Sequence, residues 1–432
     1  MKKRIFTVFT FFYIVLFVQS QNVLTPEDAV SIALKNNYDI LVSNVSASID
    51  KTNNTAGNAG MLPDIGINAT DNFGWNNVYS NLSSGNNISN PDAHSNSFTG
   101  NIGLNWDLFD GGKMFVTKKK LGEIETLGKI QFQDMVNQTL YDVIQAYYDV
   151  VRQKQQLASV EEVIRYNEER VKILQASFNS GLVPKTDLLQ AQIDLNVYLE
   201  NAILQETVIL NSKTTMNKLL SRDPETPLEV IDTIELNYFP DKEELGKKLF
   251  SANTQVLSYE KQVDIAKLSV KELVAQRFPL LSFNAGYNFL QTNNPAGTVV
   301  KNRSYGPQVG GSLTLPIFYG GNISREIKIA RFQQQSASYA SEKTKIDVSS
   351  QLQNALNDFN HVMQLLKLEK DNSLLAKENL AISMHRLRLG QTTSLEVHQA
   401  EESFVQSFTR MILFEYSAKM SETKLKMLIS AL

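Results

Sequence analysis

Cysteine is absent from the 432-residue chain, which excludes disulfide bonds, thiolate chemistry and a lipid attached through a cysteine. Histidine is scarce, and its four positions are too far apart for the spacing of metal ligands: His94, His361, His385 and His398. The sequence also has no phosphate-binding glycine loop and no convincing catalytic triad pattern. We therefore predict a protein that is not an enzyme and that binds no metal or cofactor.

Proline, glycine and excess charge of one sign are also limited. The chain has 11 prolines and 21 glycines, and these residues cluster rather than scatter. The sequence therefore lacks the regularly spaced breaks that separate several small domains. A net charge of −3 argues against nucleic acid as a partner. Beyond the N-terminus, no apolar run approaches the length of a transmembrane helix. If the protein enters a membrane, it must therefore do so as β-strands.

The N-terminal stretch MKKRIFTVFTFFYIVLFVQSQN has the layout of a secretory signal peptide. It begins with basic residues, continues as an apolar run from Ile5 to Val18, and has small residues near Ser20. The alternative is an N-terminal membrane anchor, but this run is shorter than the ~18 residues that a spanning helix needs. We expect residues 1–20 to be a signal peptide and the mature, unlipidated chain to begin near Gln21.

Two pairs of glycines indicate an internal repeat. Gly112 and Gly321 lie 209 residues apart, and so do Gly181 and Gly390. The segments that follow the later glycines, GLVPKTDLLQA and GQTTSLEVHQA, share an acid six positions on and an alanine at the tenth. Chance does not account for similar motifs at equal spacing. We therefore predict a first repeat over residues 21–232 and a second over 233–432.

Four segments alternate between apolar and polar residues and carry almost no charge. This period of two predicts strands, here over residues 62–75, 98–109, 280–290 and 307–318. They fit either a soluble antiparallel sheet with one face exposed to water or a transmembrane β-barrel, whose strands also alternate between apolar and polar residues. Four strands cannot close a barrel, because single-chain barrels need ~8 or more. An open sheet edge in lipid would leave backbone groups unsatisfied, so the membrane interpretation requires an oligomer.

The remaining segments predict very long helices. No proline occurs between Lys113 and Phe178, and part of this segment follows heptad spacing. At ~1.5 Å per residue such a helix would be roughly 100 Å long and would need partners along its length. We predict long helices over 113–180 and 322–389, each flanked by two shorter helices stacked end to end. The shorter helices are predicted over 25–60 and 186–220 in the first repeat, and over 241–277 and 394–432 in the second.

The ordered, duplicated motifs resemble those of the TolC family of outer-membrane channel proteins over the whole mature chain. The resemblance is carried by LTPEDAVSIALKNN, by the Leu-Pro and Phe-Pro starts of two strands, by FDGG and FYGG, and by FNSGLVPKTDLLQA. It implies a mixed fold in which an all-α coiled-coil tunnel joins a transmembrane β-barrel, closed by three chains with four strands each. It also implies a passive channel of a tripartite efflux or type I secretion system. Such a homotrimer would lie among the lipids of the outer membrane of a Gram-negative type bacterium and extend into the periplasm. There, a periplasmic adaptor protein would link it to an inner-membrane transporter.

The resemblance also assigns roles to particular residues. The strand-to-helix junctions would lie at Gly111, Gly112, Gly320 and Gly321, because glycine accepts backbone angles that other residues resist. The hairpin tips that meet the adaptor would include Gly181, Leu182, Gly390 and Gln391. A ring of Glu396 side chains from three chains would constrict the periplasmic entrance, with Gln399 one turn later and Asp187 as the acid of the first repeat. For Asp187, the simpler interpretation is an acid that caps its own helix and that the helix dipole favours.

Two alternatives stay open from the sequence. A basic cluster follows the strands, and it is either a solvated helix face or a surface for lipid phosphates. It consists of Lys113, Lys118, Lys119, Lys120, Arg325, Lys328 and Arg331.

The chain could also be a trimeric coiled-coil structural or adhesive protein of the envelope, although a pure stalk would not need uncharged alternating strands. The exported molecule cannot be read from the sequence, because a passive duct has no dedicated substrate pocket.

Overall fold

A computed structural model of the chain describes residues 23–295 and 299–432. The predicted signal peptide, residues 1–20, lies outside the described residues. The described helices and strands are, in chain order, α1 (Pro26–Asn36), α2 (Tyr38–Asn53), β1 (Asp64–Asn81), β2 (Asn87–Asp110), α3 (Lys113–Asn179), α4 (Lys185–Leu219), α5 (Lys242–Ala252), α6 (Thr254–Ala275), β3 (Leu280–Asn293), β4 (Lys301–Thr314), α7 (Asn322–Arg388) and α8 (Ser394–Leu428). None of the helices in these ranges combines the length and the apolar character needed to cross a membrane.

The four strands form one antiparallel sheet in the order β1-β2-β3-β4. Three predicted strand ranges were wrong: 62–75, 98–109 and 307–318. Much of the polar segment 76–97, which lies between the first two predicted strands, belongs to β1 and β2, because backbone pairing between neighbouring strands does not depend on apolar side chains. β4 covers 301–314 rather than 307–318. It ends before Pro316, which has no N–H to donate to a ladder.

The long helices α3 and α7 have 67 residues each, and α4 and α8 have 35 each. At ~1.5 Å per residue, α3 and α7 are each roughly 100 Å long. α1, α2 and α4 pack on α3, and α5, α6 and α8 pack on α7. Both α6 and α8 also pack on α3, so the two halves of the chain share one helical rod.

The predicted helices 25–60 and 241–277 were wrong as continuous elements, because a buried asparagine interrupts each of them. Asn37 has extended backbone, and its side-chain oxygen accepts from the N–H groups that begin α2. Its Nδ2 donates to the carbonyl of Leu219 at the end of α4, at 2.8 Å. Asn253 interrupts the second segment in the same way and donates to Leu428 O at 2.9 Å. Each asparagine therefore caps a new helix while it binds the C-terminal end of another.

Three apolar clusters are distributed along the rod. One surrounds Tyr147, whose hydroxyl donates to the carbonyl of Leu24 at 2.7 Å. A second joins α5, α7 and the end of α8 around Phe359. The third joins the C-terminal parts of α3 and α7 to the N-terminal parts of α4 and α8, around Phe404. That third cluster holds together the two helical hairpins whose loops lie at Gly181 and Gly390.

Candidate functional site

The sheet has one apolar face and one polar face. The register places Ile65 beside Leu104, Ile102 beside Tyr287, and Ala285 beside Val309, so apolar side chains continue across all four strands. In the single chain these side chains are uncovered. The exposed fraction is 75% for Ile67 and 69% for Val309. A continuous apolar face of this kind needs a covering that the chain does not itself supply.

The opposite face of the sheet carries a row of amides. Asn101 Nδ2 donates to Asn288 Oδ1, and Asn288 Nδ2 donates to Gln308 Oε1. Near the helical end, Ser282 Oγ donates to Asp107 Oδ1 at 2.6 Å. Such a face is suited to water rather than to hydrocarbon, because unpaired amides are costly to bury.

Both outer edges of the sheet are unpaired within the described residues. β1 pairs only with β2, and β4 pairs only with β3. A long edge leaves a row of backbone N–H and C=O groups available to another strand. The sheet is therefore built to continue into further strands at both sides.

The junction glycines have the backbone conformation expected of a change from strand to helix. Gly111, Gly112, Gly320 and Gly321 all have positive φ, from 58° to 82°. Gly112 and Gly321 occupy the residue before α3 and before α7. Gly111 also packs closely against α6, because an added Cβ would lie 2.3 Å from the carbonyl oxygen of Ala275. At this junction the backbone of α6 and the end of β2 meet without room for a side chain.

The loops between paired helices also turn through glycine. Gly181 has φ 74° and Gly390 has φ 67°, and at both positions an added Cβ would have no other atom within 4 Å. Leu182 is 78% exposed and Gln391 is exposed. The two loops thus present an apolar side chain and an amide at the end of the rod.

The predicted constriction residues lie just above these loops, but in different surroundings. Glu396 is exposed in the first turn of α8, and its carboxylate accepts from Thr392 Oγ1. Thr393 caps the helix by accepting from the Glu396 N–H at 3.3 Å. Gln399 is exposed one turn later.

Asp187 lies in the first turn of α4, but the prediction that it caps its helix was wrong. The residue before α4 is Pro184, and no side chain makes a capping hydrogen bond there. Asp187 is half-buried and lines a cavity shared with Asp194 and His398. Its carboxylate remains favourably placed for the helix dipole.

Two charged partners near these residues were not predicted from the sequence. Arg386, at the end of α7, lies 3.8 Å from Glu396 and donates to Gln391 O at 3.0 Å. Arg170 is buried in α3 and pairs with carboxylates of two other helices. Helical spacing places Arg170 among apolar positions, four residues before Leu174 and seven after Val163, and this was the available signal.

The predicted basic cluster is divided by the structure. Lys118 binds Asn54 and Lys120 pairs with Glu272, so both have partners in neighbouring helices. The other members are exposed: Lys113, Lys119, Arg325, Lys328 and Arg331. For metals, no group of three or more His, Cys, Asp or Glu in residues 23–295 and 299–432 has ligand geometry.

Comparison with known proteins agrees with this architecture. The sequence model of the family "Outer membrane efflux protein" matches residues 29–222 and 245–431. Outer membrane protein TolC of Escherichia coli (strain K12) is 21% identical over 402 residues, which are 86% of this chain and 75% of the relative. TolC of Vibrio cholerae is 22% identical over 294 residues, 67% of each protein.

The same fold is found in the Campylobacter jejuni CmeC outer membrane channel, with a TM-score of 0.79 and 17% identity over 94% of this chain and 85% of that one. The predicted combination of four antiparallel strands with long helices, and the resemblance to the TolC family, are thus confirmed. Because the family model matches most of both halves of the sequence, the chain belongs to the outer membrane efflux protein family.

Proposed function

We propose that this chain is the passive outer-membrane conduit of a tripartite efflux or type I secretion system, and that it works as a homotrimer. One observation carries the proposal: a sheet with an apolar face, an amide-lined face and two open edges. A barrel made from such sheets would place the apolar face in lipid and the amides around a water-filled lumen.

Three copies provide a sufficient number of strands. The described part of one chain has four strands, fewer than the ~8 needed for closure, and edges left open in hydrocarbon would leave backbone groups unsatisfied. In the trimer, β4 of each protomer pairs with β1 of the next, and twelve strands close the barrel. No edge then remains.

The helices support the same assembly. Exposed apolar side chains recur every seven residues along α7, at Phe332, Tyr339 and Ile346 and again at Leu368, Leu375 and Ile382, and Leu389 just past its end continues the spacing. A seven-residue repeat is the spacing of helices that pack against a partner helix. In the trimer these exposed apolar side chains contact helices of neighbouring protomers. The long helices, each roughly 100 Å, then form a tunnel.

The hairpin tips are the proposed contact with a periplasmic adaptor, which links the tunnel to an inner-membrane transporter. Gly181 and Gly390 are free of steric contact, and Leu182 and Gln391 are exposed. The conduit performs no chemistry of its own. Energy for export comes from the transporter.

The three Glu396 side chains form the proposed constriction. They are exposed in a single chain, and like charges around one axis repel one another and attract cations. Gln399, one turn further, adds no charge to the ring. Movement of the hairpins away from the axis opens it.

The alternative is a trimeric structural or adhesive protein of the envelope. Single-channel recording of the purified protein in a planar bilayer separates the two functions, and native mass measurement in detergent gives the number of chains. The conduit predicts discrete conductance steps from a three-chain species. A three-chain species that never conducts would leave the structural function, and a conducting monomer would refute the strand count.

A further inference from the structure

A buried charge cluster lies about three helical turns above the hairpin loops. Arg170 of α3 is 1% exposed, and its guanidinium donates to Asp194 of α4 and to Glu401 of α8. The Nη1–Oε2 distance to Glu401 is 2.6 Å. Glu401 has no exposed side-chain surface and Asp194 has 10%. One arginine therefore joins the first hairpin, α3 and α4, to the second.

The cluster has more negative than positive charge. With both carboxylates ionised, a single guanidinium faces two anions that are removed from water. A buried charge without a full counter-charge is expensive, so such a site favours the uptake of a proton. Burial raises the pKa of the Glu401 carboxyl to about 7, partly offset by Arg170 and reinforced by Asp194.

An unpaired carboxylate oxygen marks where the proton belongs. Glu401 Oε1 is buried without a hydrogen-bond partner. The side chain of Asn167 on α3 favours the ionised carboxyl and so partly offsets the raised pKa of Glu401. A proton on Glu401 Oε1 removes the negative charge from this unpaired position, while Oε2 continues to accept from Arg170.

The cluster is open to solvent on one side through His398. Its Nδ1 lies 3.5 Å from Asp194 Oδ2 and 3.8 Å from Glu401 Oε2, and its Nε2 lies 3.6 Å from Glu402 Oε1. A cavity of about 410 Å³ adjoins Asp194 and His398. Protons can therefore exchange with the cluster while the helices stay packed.

Every helix around the cluster contributes charged or titratable groups. Tyr198 of α4 stays neutral, because burial raises its pKa to about 12. Arg388 of α7 is engaged with Glu169 of α3, next to Arg170. The full set is Glu169 and Arg170 on α3, Asp187, Asp194 and Tyr198 on α4, Arg388 on α7, and His398, Glu401 and Glu402 on α8.

We propose that Arg170, Asp194 and Glu401 form a proton-dependent clasp, which holds the two hairpins together when it carries one proton and loosens when that proton is lost. The direction of the pH dependence follows from the linkage between proton binding and packing. A carboxyl whose pKa is higher in the packed state stabilises that state fully below its ordinary pKa of 4.5, and the contribution is lost as pH rises through about 7. For a single carboxyl with pKa values of 4.5 and about 7, the equilibrium constant for packing of the two hairpins against each other is therefore roughly 30-fold larger at pH 5.5 than at pH 8.5.

Hydrogen exchange read by mass spectrometry tests the clasp in the detergent-solubilised full chain. The readout is the protection factor of amides in 185–200 and 394–404, corrected at each pH for intrinsic exchange. We expect protection there to fall about 30-fold from pH 5.5 to pH 8.5. Amides around Tyr147, in the distant core, serve as an internal reference and should not change. Equal protection of the tip at both pH values would overturn the proposal.

Two isosteric variants distinguish a clasp from an ordinary ion pair. Glu401→Gln and Asp194→Asn each remove one negative charge, so in both the tip should keep its pH 5.5 protection at pH 8.5. An ordinary buried ion pair predicts the opposite, because loss of one carboxylate would weaken the tip at both pH values. Glu162→Gln is the matched control: it removes an inter-helix carboxylate, paired with Lys377 at 2.9 Å, and should leave the pH response intact.

The clasp does not depend on the conduit function. Exchange is measured without transport, so a chain that never conducts but shows the pH response keeps the clasp and loses the conduit. A conducting chain with pH-independent protection keeps the conduit and loses the clasp.

Discussion

The position of Val309 allows a sharp test of the proposed lipid-facing surface. On β4 the apolar side chains of this face run from Leu313 to Tyr305, and Arg303 follows with its guanidinium over the ring of Phe289. Val309 is in the middle of this band, four residues from each end. At ~3.4 Å per residue the band is roughly 27 Å long, close to the ~25 Å apolar height of outer-membrane barrels. Val309 is thus expected near the centre of the bilayer.

The change is Val309→Arg, and the matched control is Gln308→Arg. An arginine at the bilayer midplane costs about 2–4 kcal/mol, and a trimer carries three, which amounts to roughly 6–12 kcal/mol. Gln308 is adjacent in sequence but lies on the amide face, where its Oε1 accepts from Asn288. An arginine there loses about one hydrogen bond, at ~1 kcal/mol per copy, and remains in water.

The assay is the yield of heat-resistant trimer from isolated outer membranes, followed by conductance of whatever assembles. We expect Val309→Arg to reduce the trimer yield severely. We expect Gln308→Arg to assemble and to shift ion selectivity towards anions. Equal yields for the two variants would refute the assignment of the apolar face to lipid, since both add the same side chain to the same strand.

Further predictions concern the constriction and the junctions. Glu396→Gln should weaken cation selectivity and block by a trivalent cation in bilayers at low salt, where screening is least, and Asp187→Asn should alter them less because Asp187 is half-buried in its own cavity. Unchanged block in Glu396→Gln would remove the ring assignment. Gly111→Ala should lower the unfolding temperature of the purified protein clearly more than Gly320→Ala, since both have positive φ but only at Gly111 would the new Cβ meet backbone, 2.3 Å from Ala275 O. Similar losses at the two sites would show that the packing of α6 against Gly111 is unimportant.

The sequence predicted the components of this fold well. Strand alternation and heptad spacing are local patterns, repeated over many residues, and each has a single geometric cause. The starts of β1 and β3 follow Pro63 and Pro279, and α3 and α7 begin after the double glycines. The positive φ of those glycines could also be anticipated, because an abrupt change from strand to helix favours residues without a Cβ.

Strand ends were less predictable, because a strand continues as long as its neighbour offers backbone partners. The stretch from Asn76 to Ser97 has no clean alternation, yet most of it is paired. The extension of β1 and β2 is thus a property of the pair of strands rather than of either sequence.

Helix breaks and the buried clasp were decided by tertiary structure alone. Asn37 and Asn253 look like ordinary polar residues within helical segments, but each donates to a carbonyl more than 170 residues away, at Leu219 and Leu428. Likewise Arg170, Asp194 and Glu401 are three charges on three helices. Helical spacing places Arg170 among apolar positions, but nothing in the sequence shows that Asp194 and Glu401 meet it there. Their burial, and the shift it produces in the pKa of Glu401, exist because three helices bring these side chains to one place away from water.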